Sequence, residues 1–184
     1  MNTSKLLHWE DVEIGKPNTY GAYTVTKEEI FAFARAYDPQ PHHVDEAAAM
    51  LSLTKGLCAS GWHTCAMFMR LLCDSVLKDA ASLGAAGIEE VKWIKPVRPG
   101  HILKARSVCT SKRLMNSRPG VGIAQMKHEI LNQHDELLMT MENAQFLAVR
   151  DPAKAQAAQA QSGGQASTGG QASTGGQAST GGKP

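Results

Sequence analysis

The sequence lacks any long apolar run. No stretch approaches the ~18 consecutive apolar residues that cross a bilayer, so a membrane-spanning protein is not expected. It also lacks a strong charge of either sign: the formal net charge is +2, too small to argue for nucleic acid or a membrane surface as a partner. Residues 1–12 contain no apolar run behind a basic head, so no secretory signal is expected, and the chain is read as cytoplasmic. CxxC spacing is absent. The four cysteines, Cys58, Cys65, Cys73 and Cys109, are scattered and read as reduced thiols, mostly buried, with neither disulfides nor a metal site expected. From Ala153 onward there is no aromatic or large aliphatic side chain, and Gly-Gly-Gln-Ala-Ser-Thr occurs three times in tandem. Such a segment has nothing to bury against its ordering entropy. Residues 153–184 are therefore expected to be a flexible tail, and residues 1–152 one domain with a single core.

What remains has a legible order. Residues 18–25, with Tyr20, Tyr23 and Val25, predict a short strand. Thr26-Lys27-Glu28-Glu29 matches a capping box, in which Thr26 caps a helix and Glu29 reaches back. Ile30, Phe31, Phe33, Ala34 and Tyr37 follow at near-helical spacing, until Asp38-Pro39-Gln40-Pro41 stops the helix. Asp45 is placed to cap a short helix through Ala47, Ala48 and Met50. Ser60-Gly61 opens the longest apolar helical stretch, from Trp62 through Leu77. Its apolar residues cover most of its circumference, which predicts burial on most sides and an end near Gly84 or Gly87. The period then changes to extended segments: Val91, Trp93 and Val97, then strands over 102–112, 121–131 and 137–149. This order predicts an α+β domain in which one sheet wraps a helix.

Two constellations could carry chemistry. Asp38 and His43 lie five residues apart in a segment stiffened by Pro39 and Pro41. A carboxylate and an imidazole make a useful pair for moving protons near neutral pH; the alternative is a helix-stopping turn with solvated polar side chains. A metal site at His42, His43, Asp38 or Asp45 is disfavoured, because adjacent histidines in an extended segment point to opposite sides. The second constellation is Ala59-Ser60-Gly61-Trp62. Ser60 reads as an N-cap and Gly61 as the first helical residue, where free backbone N–H groups meet the positive end of the helix dipole. Glycine would let a substrate approach closely, and such N–H groups could hold a carbonyl oxygen as its charge grows; an ordinary capped helix explains the pattern as well. His63 reads as a packing residue. Serine nucleophile chemistry at Ser60 lacks the Gly-x-Ser-x-Gly elbow. Lys95, Arg98, Lys112, Arg113 and Arg118 suit either contacts to a nucleotide's phosphates or a solvated face.

Tyr37-Asp38-Pro39-Gln40-Pro41-His42-His43-Val44-Asp45 resembles the hydratase loop, Asp-x-Asn-Pro-x-His, of the MaoC-like dehydratase and (R)-specific enoyl-CoA hydratase family. Gly56-Leu57-Cys58-Ala59-Ser60-Gly61-Trp62-His63-Thr64 resembles the start of that family's central helix, and Pro96-Val97-Arg98-Pro99-Gly100 its turn into the long strands. Gln40 stands where the loop often has asparagine, and Ser60 where a histidine is often found before the glycine. The resemblance implies a hot-dog fold, an antiparallel sheet around a long helix, and reversible addition of water to an enoyl-CoA or related acyl thioester. It implies Asp38 as general base, His43 sharing the water and the proton, and the Gly61 N–H polarising the thioester carbonyl, with Ser60 and Gln40 beside the substrate. No cofactor is implied, and the expected assembly is a homodimer or a higher even oligomer. A hot-dog thioesterase and a non-catalytic acyl-thioester binder are the rival readings.

Overall fold

The computed structural model describes residues 6–163, with side chains described to Ala158. After a short 3-10 turn at Trp9–Asp11, strand β1 (Pro17–Thr24) leads into helix α1 (Lys27–Tyr37). The capping box is complete: the Glu29 N–H donates to Thr26 Oγ1 at 3.2 Å, and the Thr26 N–H donates to Glu29 Oε1 at 2.9 Å. Two short helices follow, α2 (Pro41–Val44) and α3 (Glu46–Leu51), the latter capped by Asp45, whose Oδ1 accepts from the Ala48 N–H at 2.8 Å. Helix α4 (Gly61–Ser75) then crosses the domain over ~22 Å.

The sequence pattern runs this helix on towards Gly84 or Gly87, but it ends at Ser75. Val76 leaves helical geometry, a 3-10 turn spans Leu77–Asp79, and strand β2 (Ser82–Ala85) occupies the stretch expected to be helical. Pairing of β2 with Gln145–Leu147 outweighs the helical preference of Ala80, Ala81 and Leu83. Strands β3 (Glu90–Trp93), β4 (Ile102–Leu114), β5 (Val121–Leu131) and β6 (Leu137–Ala148) complete the sheet, and helix α5 (Pro152–Gly163) follows.

The six strands pair antiparallel in the order β1-β4-β5-β6-β2, and β3 continues along β6 beside β2. The core fills the space between the sheet and α4. Met67, Phe68, Leu71 and Leu72 of the helix meet Leu103, Ala105, Ile130, Leu138, Met139 and Met141 of the strands. An antiparallel sheet wrapped around one central helix is the hot-dog arrangement, as expected. Burial of α4 on most sides is not observed within the chain: Trp62 and Met69 remain 62% and 50% exposed. They lie on a flank of α4 beside the β2–β3 edge of the sheet, left open among the described residues. At the other end of the domain, the Lys112 ammonium donates to the carbonyls of Trp9, Glu10 and Val12, and so fixes the first residues across the sheet. Helix α5 begins one residue before the stretch read as a flexible tail and runs into it; its Ala155 is buried against Leu114 and Val149. Residues 164–184, which hold most of the repeats, lie outside the described residues.

Candidate active site

Proline is well placed at a helix start because its missing N–H would have no partner there. Pro41 accordingly begins α2, and His42 and His43 sit on a helical turn, not in the extended segment that the spacing suggested. Their rings are neighbours, with centroids 4.1 Å apart. Among the described residues no three His, Cys, Asp or Glu side chains gather as a ligand set.

The turn aims His43 inward. His43 Nδ1 lies 2.9 Å from the Cys58 carbonyl. A carbonyl only accepts, so Nδ1 carries the ring proton and donates it, leaving a lone pair on Nε2 in the neutral imidazole. That Nε2 faces Asp38 Oδ2 at 3.7 Å, and the two side chains are only 9% and 19% exposed. This gap is wider than a direct hydrogen bond. It suits a water molecule held by both groups. The other oxygen, Asp38 Oδ1, accepts from the Gln40 amide at 2.7 Å. Hydrogen bonds from Ser60 and Gln40 hold the Asp38 carboxyl below its ordinary range, with the neighbouring histidines adding to the effect and partial burial opposing it. Asp38 is therefore an anion at neutral pH.

Ser60 is almost wholly buried and joins the two constellations. Its hydroxyl donates to Asp38 and accepts from the Trp62 N–H at 3.3 Å, which caps α4. Gly61 is the first residue of α4, and its N–H has no intrahelical partner by position. The expected reason for glycine was room for a substrate. The structure gives a protein reason: Trp93 Nε1 donates to the Gly61 carbonyl at 3.0 Å, and a Cβ on Gly61 would meet the indole at 2.5 Å. All five predicted residues, Asp38, Gln40, His43, Ser60 and Gly61, line one cavity of about 430 Å³, together with Trp62, Trp93 and Lys95.

The loop before α4 is held from the β3–β4 connection. The Arg98 guanidinium donates to the carbonyls of Thr54 and Leu57, and the Ala59 N–H donates to the Val97 carbonyl at 2.8 Å. These contacts fix the Cys58 carbonyl that orients His43. Arg98 and Lys112 thus donate to backbone carbonyls of their own chain, and Lys95 pairs with Glu136 at 2.7 Å. His63 is a packing residue, as read: it is buried and stacks on Phe33 at 4.5 Å, and burial lowers its basicity. Sequence reasoning missed the Cys58 carbonyl, Trp93 as the cover of Gly61, and Arg98 as the clasp. Of these, only Arg98 carried a signal, because it lies within the Pro96–Gly100 motif.

A sheet wrapped around one helix, with a carboxylate and an imidazole facing each other at the helix N-terminus, defines an α+β protein of the hot-dog class. The chain belongs to the family that carries the MaoC like domain, whose model matches residues 11–129. It is 38% identical to the MaoC-like dehydratase from Rhodospirillum rubrum, and the two structures superpose with a TM-score of 0.74 over 79% of this chain and 99% of that one. The (R)-hydratase from A. caviae involved in PHA biosynthesis shares the fold, with 23% identity, a TM-score of 0.59 and coverage of 76% of this chain and 99% of that one. The uncharacterized protein YdeM of Bacillus subtilis (strain 168) is 30% identical over 90 residues, or 49% of this chain, and the match spans 64% of the length of YdeM.

Proposed function

We propose that this protein is a hydro-lyase that adds water reversibly to a trans-2-enoyl-CoA, or a related acyl thioester, and forms the (R)-3-hydroxyacyl thioester. The observation that carries the reading is the pair of Asp38 Oδ2 and His43 Nε2, 3.7 Å apart and facing a cavity that reaches the N-terminus of α4. Asp38 and His43 together hold one water. As its oxygen bonds to the β-carbon, one O–H bond breaks and the proton passes to the pair. The double-bond electrons move towards the thioester oxygen, where the Gly61 N–H and the helix dipole stabilise the growing negative charge. The pair then delivers a proton to the α-carbon, and the sum is addition of one water. Ser60 and Gln40 keep Asp38 anionic and fixed in position.

Two copies would bring the uncovered flank of α4 together with Trp93 and Ile94, both 48% exposed, into one apolar interface beside the cavity. The four free cysteines suit a reducing, cytoplasmic setting. The experiment is an assay of purified protein with crotonyl-CoA and longer enoyl-CoAs, which follows loss of the conjugated double bond and, separately, release of free thiol. Loss of the double bond without thiol release is expected. Thiol release without hydration would move the reading to a thioesterase, and neither reaction would leave a thioester-binding protein.

A further inference from the structure

A second cleft, of about 460 Å³, runs along the uncovered flank of α4 from Trp62 past Cys65 and Met69 to Leu72, and faces Met141, Asn143 and Gln145 of β6. Trp62 also lines the catalytic cavity, so the two cavities are neighbours at that side chain. The walls of the cleft are mostly apolar, with Asn143 and Gln145 entering from β6 and Ser82 from β2. No Lys, Arg, Asp, Glu or His lines it among the described residues.

Asn143 is oriented from behind by a chain of hydrogen bonds. Tyr20 Oη lies 2.8 Å from Ser107 Oγ, Ser107 Oγ lies 2.6 Å from His128 Nδ1, and His128 Nε2 lies 3.1 Å from Asn143 Oδ1. The Asn143 oxygen only accepts, so Nε2 carries the proton. Nδ1 is then an acceptor, Ser107 donates to it, and Tyr20 donates to Ser107. The opposite polarity would leave the Tyr20 proton without an acceptor among the described residues. One direction therefore satisfies Tyr20, Ser107, His128 and Asn143 together, and leaves the Gln145 amide nitrogen, 3.5 Å from the protonated His128 Nε2, with no acceptor there and free to turn towards the cleft. It turns the Asn143 carbonyl inward and presents the Asn143 Nδ2 hydrogens on the side of the cleft. Gln145, half-buried beside it, adds an amide of its own, which can accept as well as donate.

We propose that the acyl chain of this protein's substrate carries a neutral hydroxyl group, which accepts from Asn143 Nδ2 and donates to the Gln145 side-chain carbonyl. The inference rests on the thioester reading above. A hydroxyl both accepts and donates, as these two amides require, whereas a carboxylate would find no cation in the cleft. Burial keeps His128 uncharged at neutral pH, which preserves that neutrality from behind. The hydroxyl lies some way down the chain. Trp93, the cover of Gly61, pairs with Met139, and Asn143 is four residues further along β6, or ~13 Å.

The test is calorimetric binding of saturated acyl-CoAs, which do not react, with octanoyl, decanoyl, dodecanoyl and tetradecanoyl chains, each plain and with a terminal hydroxyl. At the best-fitting length the hydroxylated ligand should bind roughly fivefold to tenfold more tightly than its plain partner, the scale of one or two net hydrogen bonds. Asn143→Leu should reverse that preference, and so should the less buried Gln145→Leu if Asn143→Leu does not fold. Equal or weaker binding of the hydroxylated ligand at every length overturns the inference, even where crotonyl-CoA is hydrated. A preference for the hydroxyl in a folded protein that hydrates nothing would retain this inference and overturn the hydratase reading. Failure to bind either ligand overturns this inference, and the hydratase reading falls with it only where crotonyl-CoA is not hydrated either.

Discussion

Trp93 lies on Gly61: the indole N–H donates to the glycine carbonyl at 3.0 Å, and its ring occupies the space that any side chain at position 61 would need. The edge strand β3 is thereby fastened to the first residue of α4, beside the Asp38–His43 pair. Gly61→Ala should expel the indole, because the new Cβ would sit 2.5 Å from the ring. We expect a loss of about 1–3 kcal/mol, the usual cost of overpacking, together with a lower rate of hydration. Thermal melting and tryptophan fluorescence check it. An unchanged melting temperature and emission spectrum would contradict the contact.

Arg98 acts on the site through the backbone. Its guanidinium holds the Thr54 and Leu57 carbonyls, and Gly56, at φ +141°, passes so close that a Cβ there would meet the guanidinium at 2.8 Å. Arg98→Met keeps the aliphatic stem but releases two carbonyls. The Cys58 carbonyl should then hold His43 less firmly, and kcat should fall by ~10-fold or more with a smaller change in KM. Steady-state kinetics on a folded variant test this. Arg98→Lys should recover little, because an ammonium cannot span both carbonyls as a planar fork does.

Acid should weaken the fold through His128. Burial pushes its pKa down to about 4, against an ordinary value of 6.5, while its bond to Asn143 opposes the shift. Between those two values the unfolded chain binds the proton and the folded protein does not, so stability rises with pH across that window. The contribution is complete above about pH 6.5 and lost by about pH 4, and is worth about 3 kcal/mol at most. Unfolding in denaturant from pH 7 to pH 4.5 measures it. His128→Asn should be less stable at pH 7 but show a shallower acid slope, and an identical slope in the two proteins would contradict it.

The segment from Pro152 divides at Gly163. Ala155 packs beside Leu114, Val149 and Trp9, and Asp151 Oδ1 accepts from the Lys154 N–H at 3.1 Å. We propose that residues 164–184 are dispensable, so a chain ending at Gly163 should keep its melting temperature and activity. A chain ending at Asp151 should melt lower. Loss of activity in the longer of the two would give the repeats a role in assembly.

Local features were the most legible in the sequence. The caps at Thr26, Asp45 and Ser60 depend on residues within four positions, and each forms as read. The loop from Asp38 to His43 and the start of α4 were legible for the same reason. The helical turn at Pro41 was not read, although a proline at a helix start was a local sign of it. The end of α4 depends on pairing of β2 with β6, some sixty residues on, which no local pattern carries. His128 was half legible: Ala124, Met126 and Ile130 alternate with it and place it inward. Its partners Tyr20, Ser107 and Asn143 come from three other strands and depend on register. Trp93 over Gly61 is likewise a matter of register.

The central claim is that Asp38 and His43 act on one water. The measurement is hydration of crotonyl-CoA by Asp38→Asn, His43→Gln and the double variant, each shown to be folded. Each single change should lower kcat by roughly 10²-fold or more. Because one water joins the two groups, the double variant should fall little below the slower single one. Single variants that hydrate at near wild-type rates, or a double variant whose loss is the product of the two single losses, would contradict the account.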